Sequence, residues 1–287
     1  MANPETSPEA TKERERATWA SASVGWRTYD RIIVRFSRPV TEGLIERAGV
    51  TAGMRVLDLA SGTGEPSLSI AARVGPQGSV LGTDLAEPML EFAREKAVER
   101  KLSNIEYRVG DAETLHLPPD SFDAATMRWG IMFLPDPVAG LRTAHRALRP
   151  GARMALAVWG SPERSPFLSL PLAVLKRHAE VPALPPGTPG IFAFADEDRL
   201  PQTLRAAGFH DVGKVPIELH VTDFRSGEEY WNFTKAIAGP IARLYAELPE
   251  STRARVDREV ASEAERYRVA GGSLDLPGLV WVGWGTR

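Results

Sequence analysis

The residues best placed to do chemistry lie in one short run, Val56-Leu57-Asp58-Leu59-Ala60-Ser61-Gly62-Thr63-Gly64. A β-rich apolar stretch ends there on an acid and two glycines, and a helix-forming stretch follows. In an α/β sheet, that junction between a strand's C-terminal end and the next helix is where ligands bind. Glycines there take positive φ and let a ligand approach the backbone with no Cβ in the way. A phosphate loop needs Gly-Lys-Ser/Thr after the turn, whereas Gly64 is followed by Glu65-Pro66, which excludes it. A dinucleotide fingerprint needs a third glycine where Ser67 stands. Glu65, opening the helix, would also set a negative charge against a pyrophosphate. A cofactor carrying a cation in place of phosphates suits this turn, because Asp58 then becomes an asset.

Two more acids stand at the ends of β-rich runs. Asp84 follows Gly64 by 20 residues (84 − 64), where a carboxylate can accept from both ribose hydroxyls. It could equally cap a helix beginning near Glu87. Gly110-Asp111-Ala112-Glu113 follows the third run. Taken together, Asp58-Leu-Ala-Ser-Gly-Thr-Gly64, Asp84 and Asp111 resemble the motifs of class I S-adenosylmethionine-dependent methyltransferases, with Ala60 in place of the first motif glycine. Within that class, residues 111–123, Asp-Ala-Glu-Thr-Leu-His-Leu-Pro-Pro-Asp-Ser-Phe-Asp, and the helix closed by Leu148-Arg-Pro-Gly151 resemble the ubiquinone/menaquinone-biosynthesis C-methyltransferase-like group. The resemblance covers roughly residues 26–160; beyond it only Ala207-Gly208-Phe209 and the final β-run look familial.

The resemblance implies S-adenosylmethionine as cofactor and S-adenosylhomocysteine as product. It puts Asp58 near the methionine end, with Ala60, Ser61, Gly62 and Gly64 wrapping that end. Asp84 goes to the ribose, with Leu85 and Met89 touching adenine or ribose. Asp111 goes to the adenine amino group, with Ala112 on the ring. Arg128 and Trp129 line the cofactor channel, on the edge that faces the acceptor. Tyr29, in Trp26-Arg27-Thr28-Tyr29-Asp30, closes over the cofactor. Arg128 could clamp either the methionine carboxylate or an acidic substrate. His116 falls where the group often has an aromatic residue and would pack near adenine. No base is fixed by the sequence; His220 is a weak candidate, with His145 facing solvent in a helix and His178 a third possibility.

Positioning these groups requires an α/β, Rossmann-like doubly wound sheet with helices on both faces. The reading predicts seven strands, mostly parallel, at residues 55–60, 79–83, 105–109, 122–127, 154–158, 212–219 and 278–284. Between them, helices are expected near 65–73, 88–101, 138–148 and 198–207, with a capping box at Ser226-Gly-Glu-Glu229 opening another and a charged helix at 251–269. Residues 160–190 hold seven prolines, including Pro182, Pro185 and Pro186, too many for one continuous helix. The expected organisation is a disordered tail at 1–16, an N-terminal helical lid at 17–50, the cofactor core at 51–160, and a lid segment completing the sheet at 161–221. A helical substrate cap at 222–275 and a final strand at 276–287 follow. Phe224, Tyr230, Trp231, Phe233 and Tyr245 of the cap, with Phe192 and Phe194, are expected to roof a pocket, and the 185–195 region to act as its lid.

Composition bounds the partners. A net charge of −2 with pI near 6.3 gives no general attraction to nucleic acid, so Arg27, Arg31, Arg35 and Arg38 read as a solvated helix face. The absence of cysteine rules out disulfides, thiolate nucleophiles and cysteine-bound metal, and no metal is expected. With no apolar run of membrane-spanning length and no secretory pattern, a cytoplasmic enzyme is expected. It would methylate a small apolar or aromatic acceptor on carbon or oxygen, in an undetermined oligomeric state. The alternatives are an NAD-linked oxidoreductase and a non-catalytic binding module.

Overall fold

A computed structural model describes residues 7–179 and 187–287. Helices α1 (Pro8–Thr28) and α2 (Asp30–Arg47) precede β1 (Arg55–Leu59), α3 (Ser67–Val74), β2 (Ser79–Asp84), α4 (Glu87–Glu99) and β3 (Ile105–Val109). Then come β4 (Phe122–Arg128), α5 (Pro137–Ala147), β5 (Leu148–Trp159), α6 (Pro166–His178), α7 (Arg199–Ala206) and β6 (His210–Val221). Helices α8 (Gly227–Ile237), α9 (Gly239–Ala246) and α10 (Glu250–Ala264) are inserted before β7 (Leu276–Thr286). The sheet has the order β3-β2-β1-β4-β5-β7-β6. Strands β1 to β5 pair in parallel, and β7 runs antiparallel to β5 and β6. This is the doubly wound α/β sheet expected from the seven β-rich runs. Strand order switches direction between β1 and β4, so the connections after those strands diverge and leave a crevice at the C-terminal edge. The central strands are apolar on both faces because helices cover both. Val56, Leu57 and Leu59 of β1, Ala124, Ala125 and Met127 of β4, and Met154 to Val158 of β5 are fully buried.

The expectation of a disordered tail at 1–16 is corrected over residues 8–16, which form the start of α1. The Ser7 hydroxyl accepts from the Ala10 N–H at 3.1 Å, Pro8 takes a first-turn position and Glu9 sits in the first turn, a complete helix-start signal. Residues 1–6, and Pro182, Pro185 and Pro186, lie outside the described residues. The fifth strand begins at Leu148, earlier than Met154, because the chain passes from α5 straight into pairing with β4. Within the proline-rich stretch, α6 tolerates Pro171 in its interior. The carbonyl left without its usual partner, that of Phe167, accepts from the buried Tyr230 hydroxyl of α8 at 2.7 Å. Half of the capping box forms: the Ser226 hydroxyl accepts from Glu229 N–H at 3.1 Å, while the Glu229 carboxylate reaches one residue past the N-cap and accepts from Arg225 N–H at 2.7 Å.

Candidate cofactor and acceptor site

The turn after β1 is held from behind. Asp58 is fully buried and accepts from the hydroxyls of Ser67 at 2.5 Å and Thr126 at 2.6 Å, fastening β1 to α3 and β4. Burial pushes its carboxyl up to about 6, against the pull of those two hydroxyls. Ser61 N–H donates to the Thr83 carbonyl at 2.9 Å, tying the turn to β2. Ala60 and Gly62 both stand at φ near +52°, and a Cβ built on Gly62 would meet only open space. Gly64 packs inward instead, where a Cβ would come within 2.8 Å of Leu68. Asp84 accepts one backbone N–H on each oxygen, from Gly62 and from Ala86, both at 2.9 Å. Each oxygen keeps lone-pair capacity for a further donor. Burial raises the Asp84 carboxyl, and the N–H groups of Ala86, Gly62 and Leu85 oppose that rise.

One large cleft runs along this edge. Of the residues the sequence singled out, Ala60, Gly62, Asp84, Leu85, Met89, Asp111, Ala112, Arg128 and Trp129 line it. Asp58, Ser61, Gly64 and Tyr29 are not in its wall. The first three brace the turn; Tyr29 joins α1 to α2 and sets its ring edge-on against Phe233 at 5.2 Å. What closes the cleft from the N-terminal side is the α1 face bearing Lys12, Glu15, Trp19 and Trp26. Their spacing of three, four and seven is a helical stripe that could have been read from the sequence. Lys12 donates to Asp111 at 2.7 Å and pairs with Glu113 at 2.6 Å. Burial would raise Asp111, but Lys12, Glu113 N–H and the Thr114 hydroxyl together hold its carboxyl below the usual range. Glu15 is buried, accepts from Trp19 Nε1 at 3.1 Å, and is pushed up by desolvation.

The β4–β5 side of the cleft is aromatic. Trp129 stacks on Trp159 at 5.0 Å with 8° between planes and on Phe36 at 6.2 Å. Phe167 closes the group, 5.4 Å from Phe36 and 5.9 Å from Trp159. Trp129 holds φ near +57°, a strained value for a bulky residue and one characteristic of functional sites.

The expected roof is corrected. None of Phe192, Phe194, Phe224, Tyr230, Trp231, Phe233 and Tyr245 lines the cleft. Phe224, Tyr230, Trp231 and Phe233 are core residues, packed ring against ring with Phe167 and Tyr245. The insertion reaches the cleft through Ile237, Ala238 and Pro240, and the 185–195 region through Ile191. None of the five histidines lines it either. His220 is exposed on β6 and pairs with Asp275 at 3.0 Å, so the structure does not bring the base candidate to the site. His116 is exposed, away from the cleft wall; His178 pairs with Glu259 at 2.5 Å; His145 is half-buried edge-on against Phe209, not solvent-facing as expected.

A doubly wound sheet with acids at the ends of β1, β2 and β3 defines an α/β class that binds nucleoside cofactors at its carboxyl edge. Comparison with known proteins narrows the class. The ubiE/COQ5 methyltransferase family matches residues 35–172. Nocamycin O-methyltransferase from Saccharothrix syringae is 33% identical over 263 residues, covering 84% of this chain and 86% of that protein. Demethylmenaquinone methyltransferase from Geobacillus kaustophilus is 30% identical over 69% of this chain and 91% of its own. The crystal structure of YcgJ from Bacillus subtilis shares the fold, with a TM-score of 0.52 and 19% identity over 87% of this chain and 98% of that one. The chain belongs to the class I S-adenosylmethionine-dependent methyltransferases, in the ubiE/COQ5-like group. Its cofactor is S-adenosylmethionine, and nothing in the comparisons supports an NAD-linked or non-catalytic role.

Proposed function

We propose that this enzyme methylates a small apolar or aromatic molecule on carbon or oxygen, holding the cofactor on the β1–β3 side of the cleft and the acceptor on the β4–β5 side. The observation that carries the reading is that one continuous cleft joins the acids at 84 and 111 to the rings of Phe36, Trp129, Trp159 and Phe167. The residues present fit the cofactor. Asp84 retains acceptor capacity for ribose hydroxyls, and the space over Gly62 is open. Asp111 lines the cleft with Oδ2 taken by Lys12 and Thr114 and with Oδ1, bonded to Glu113 N–H, keeping capacity for an amino group. When bound, S-adenosylmethionine supplies a methyl carbon made electrophilic by its sulfonium.

The protein's own work is positioning. Stacked rings fix the plane of a flat acceptor and exclude water, and orientation of two reactants is worth roughly 7–11 kcal/mol of barrier. The relatives named above carry names of small-molecule methyltransferases, which supports the same acceptor class here. The net charge of −2, with Arg27, Arg35 and Arg38 paired to Glu95, Asp223 and Glu42, speaks against a nucleic-acid acceptor. No helix among the described residues is long and apolar enough to cross a membrane, and the cysteine-free chain fits a cytoplasmic location. Asp84→Ala tests the site: calorimetric titration should show S-adenosylhomocysteine binding weakened at least about tenfold, or 1.4 kcal/mol. An unchanged dissociation constant would remove the ribose assignment.

A further inference from the structure

Arg128 is a buried cation with no carboxylate at hand. It is 7% exposed and lines the cleft, yet among the described residues no ion pair joins it within 4.0 Å. One of its amino groups donates to the hydroxyls of Ser37 at 2.7 Å and Thr41 at 3.1 Å; both lie on α2 and are neutral. Its guanidinium sits 5.0 Å from the Trp129 ring. Asp58, Glu65 and Asp30 act on it only through space, and desolvation depresses its basicity. Burying a guanidinium without an anion is unfavourable, and a ligand that brings the missing charge relieves it. A second donor lies beside it. Trp129 Nε1–H is buried and has no acceptor. Two polar side chains among these rings, Arg128 and Trp129, thus offer donors: a guanidinium and an indole N–H.

Resting on the methyltransferase reading above, we infer that the acceptor is a ring compound bearing an acidic oxygen, taken up as its anion, with Arg128 as the binding residue for that oxyanion. The alternative partner, the cofactor's methionine tail, fits this half less well. It is an aliphatic zwitterion, whose ammonium would come close to the Arg128 cation along with its carboxylate, and it offers the stacked rings no flat surface to hold. An acceptor that arrives ionised has already released its proton to solvent. Its lone pair forms the new bond to the methyl carbon, the carbon–sulfur pair returns to sulfur, and no side chain has to remove a proton. That accords with a cleft wall free of histidine.

The test is titration calorimetry on the full chain saturated with S-adenosylhomocysteine, using naphthoate against its neutral methyl ester, and picrate against its methyl ether. In at least one pair the anion should bind at least about tenfold more tightly, and which pair shows it tells carboxylate from phenolate. Arg128→Met should abolish the preference while leaving the S-adenosylhomocysteine dissociation constant within about threefold; Arg128→Lys should restore part of the preference. Equal binding of anion and neutral partner by the wild-type chain, in both pairs, overturns the inference, and that arm stands even if Arg128→Met fails to fold. So does a variant that loses S-adenosylhomocysteine about tenfold but keeps the anion preference. Failure of the wild-type chain to bind S-adenosylhomocysteine would be seen before any acceptor is added, and would instead sink the underlying reading.

Discussion

Asp58 shows how the turn is held at an energetic cost. The folded chain keeps its proton to about pH 6, whereas an unfolded aspartate loses it near 3.8. Between those values the folded state binds more protons, so stability falls as pH rises through the window, by roughly 3 kcal/mol. Asp58→Asn cannot ionise and escapes that cost. Its stability relative to wild type, from urea titrations, should therefore rise by about that amount between about pH 4 and pH 7; a pH-independent difference would contradict this. Tyr230 offers a second test. Tyr230→Phe leaves the Phe167 carbonyl beside Pro171 without its donor, and should cost about 1–3 kcal/mol in chemical denaturation. No measurable loss would mean the carbonyl finds another partner. At this scale the sequence was informative where a residue sits at a strand end, as Asp84, Asp111 and Arg128 do. It was less so for Asp58, whose depth behind the turn depends on Ser67 and Thr126 arriving from two other elements.

The elements flanking the sheet were the hardest to read. From sequence, helix α1 reads as part tail and part lid because its first turn is polar, and the stripe Lys12, Glu15, Trp19, Ala22, Trp26 makes sense only once something lies beneath it. The aromatics of the insertion suggested a pocket, yet rings at helical spacing bury against each other when α8 and α10 pack on α6, as those of α8 do here. Helix α1 is seated on α8 at Gly25, where a Cβ would come within 2.0 Å of the Ala236 carbonyl oxygen. Gly25→Val should therefore unseat the helix while leaving the sheet folded. The expected outcome is S-adenosylhomocysteine binding weakened about tenfold or more, with new proteolytic cleavage within residues 8–28 and an unchanged far-ultraviolet spectrum apart from the loss of one helix. Wild-type affinity with an uncut α1 would show that the helix does not govern access.

Across the whole molecule, the sheet order divides labour along one edge. Strands β3 and β2 lead to Asp111 and Asp84, β1 to the open turn at Ala60 and Gly62, and β4 and β5 to Trp129 and Trp159; adjacent strands are about 4.8 Å apart, so a molecule spanning the edge passes from acids to rings. The strands and their alternation with helices were legible because buried parallel strands are short apolar runs set between turn residues. The antiparallel return of β7 between β5 and β6 was not, since pairing partners far apart in the chain leave no local mark. The central claim is that this edge binds an adenosyl sulfonium cofactor and not a dinucleotide. Calorimetric titration of the intact chain with S-adenosylhomocysteine, alongside NADH, tests it most directly. One S-adenosylhomocysteine per chain with a dissociation constant well below about 1 mM, and no heat from NADH, is the predicted result. NADH binding with no S-adenosylhomocysteine binding at that concentration would contradict it.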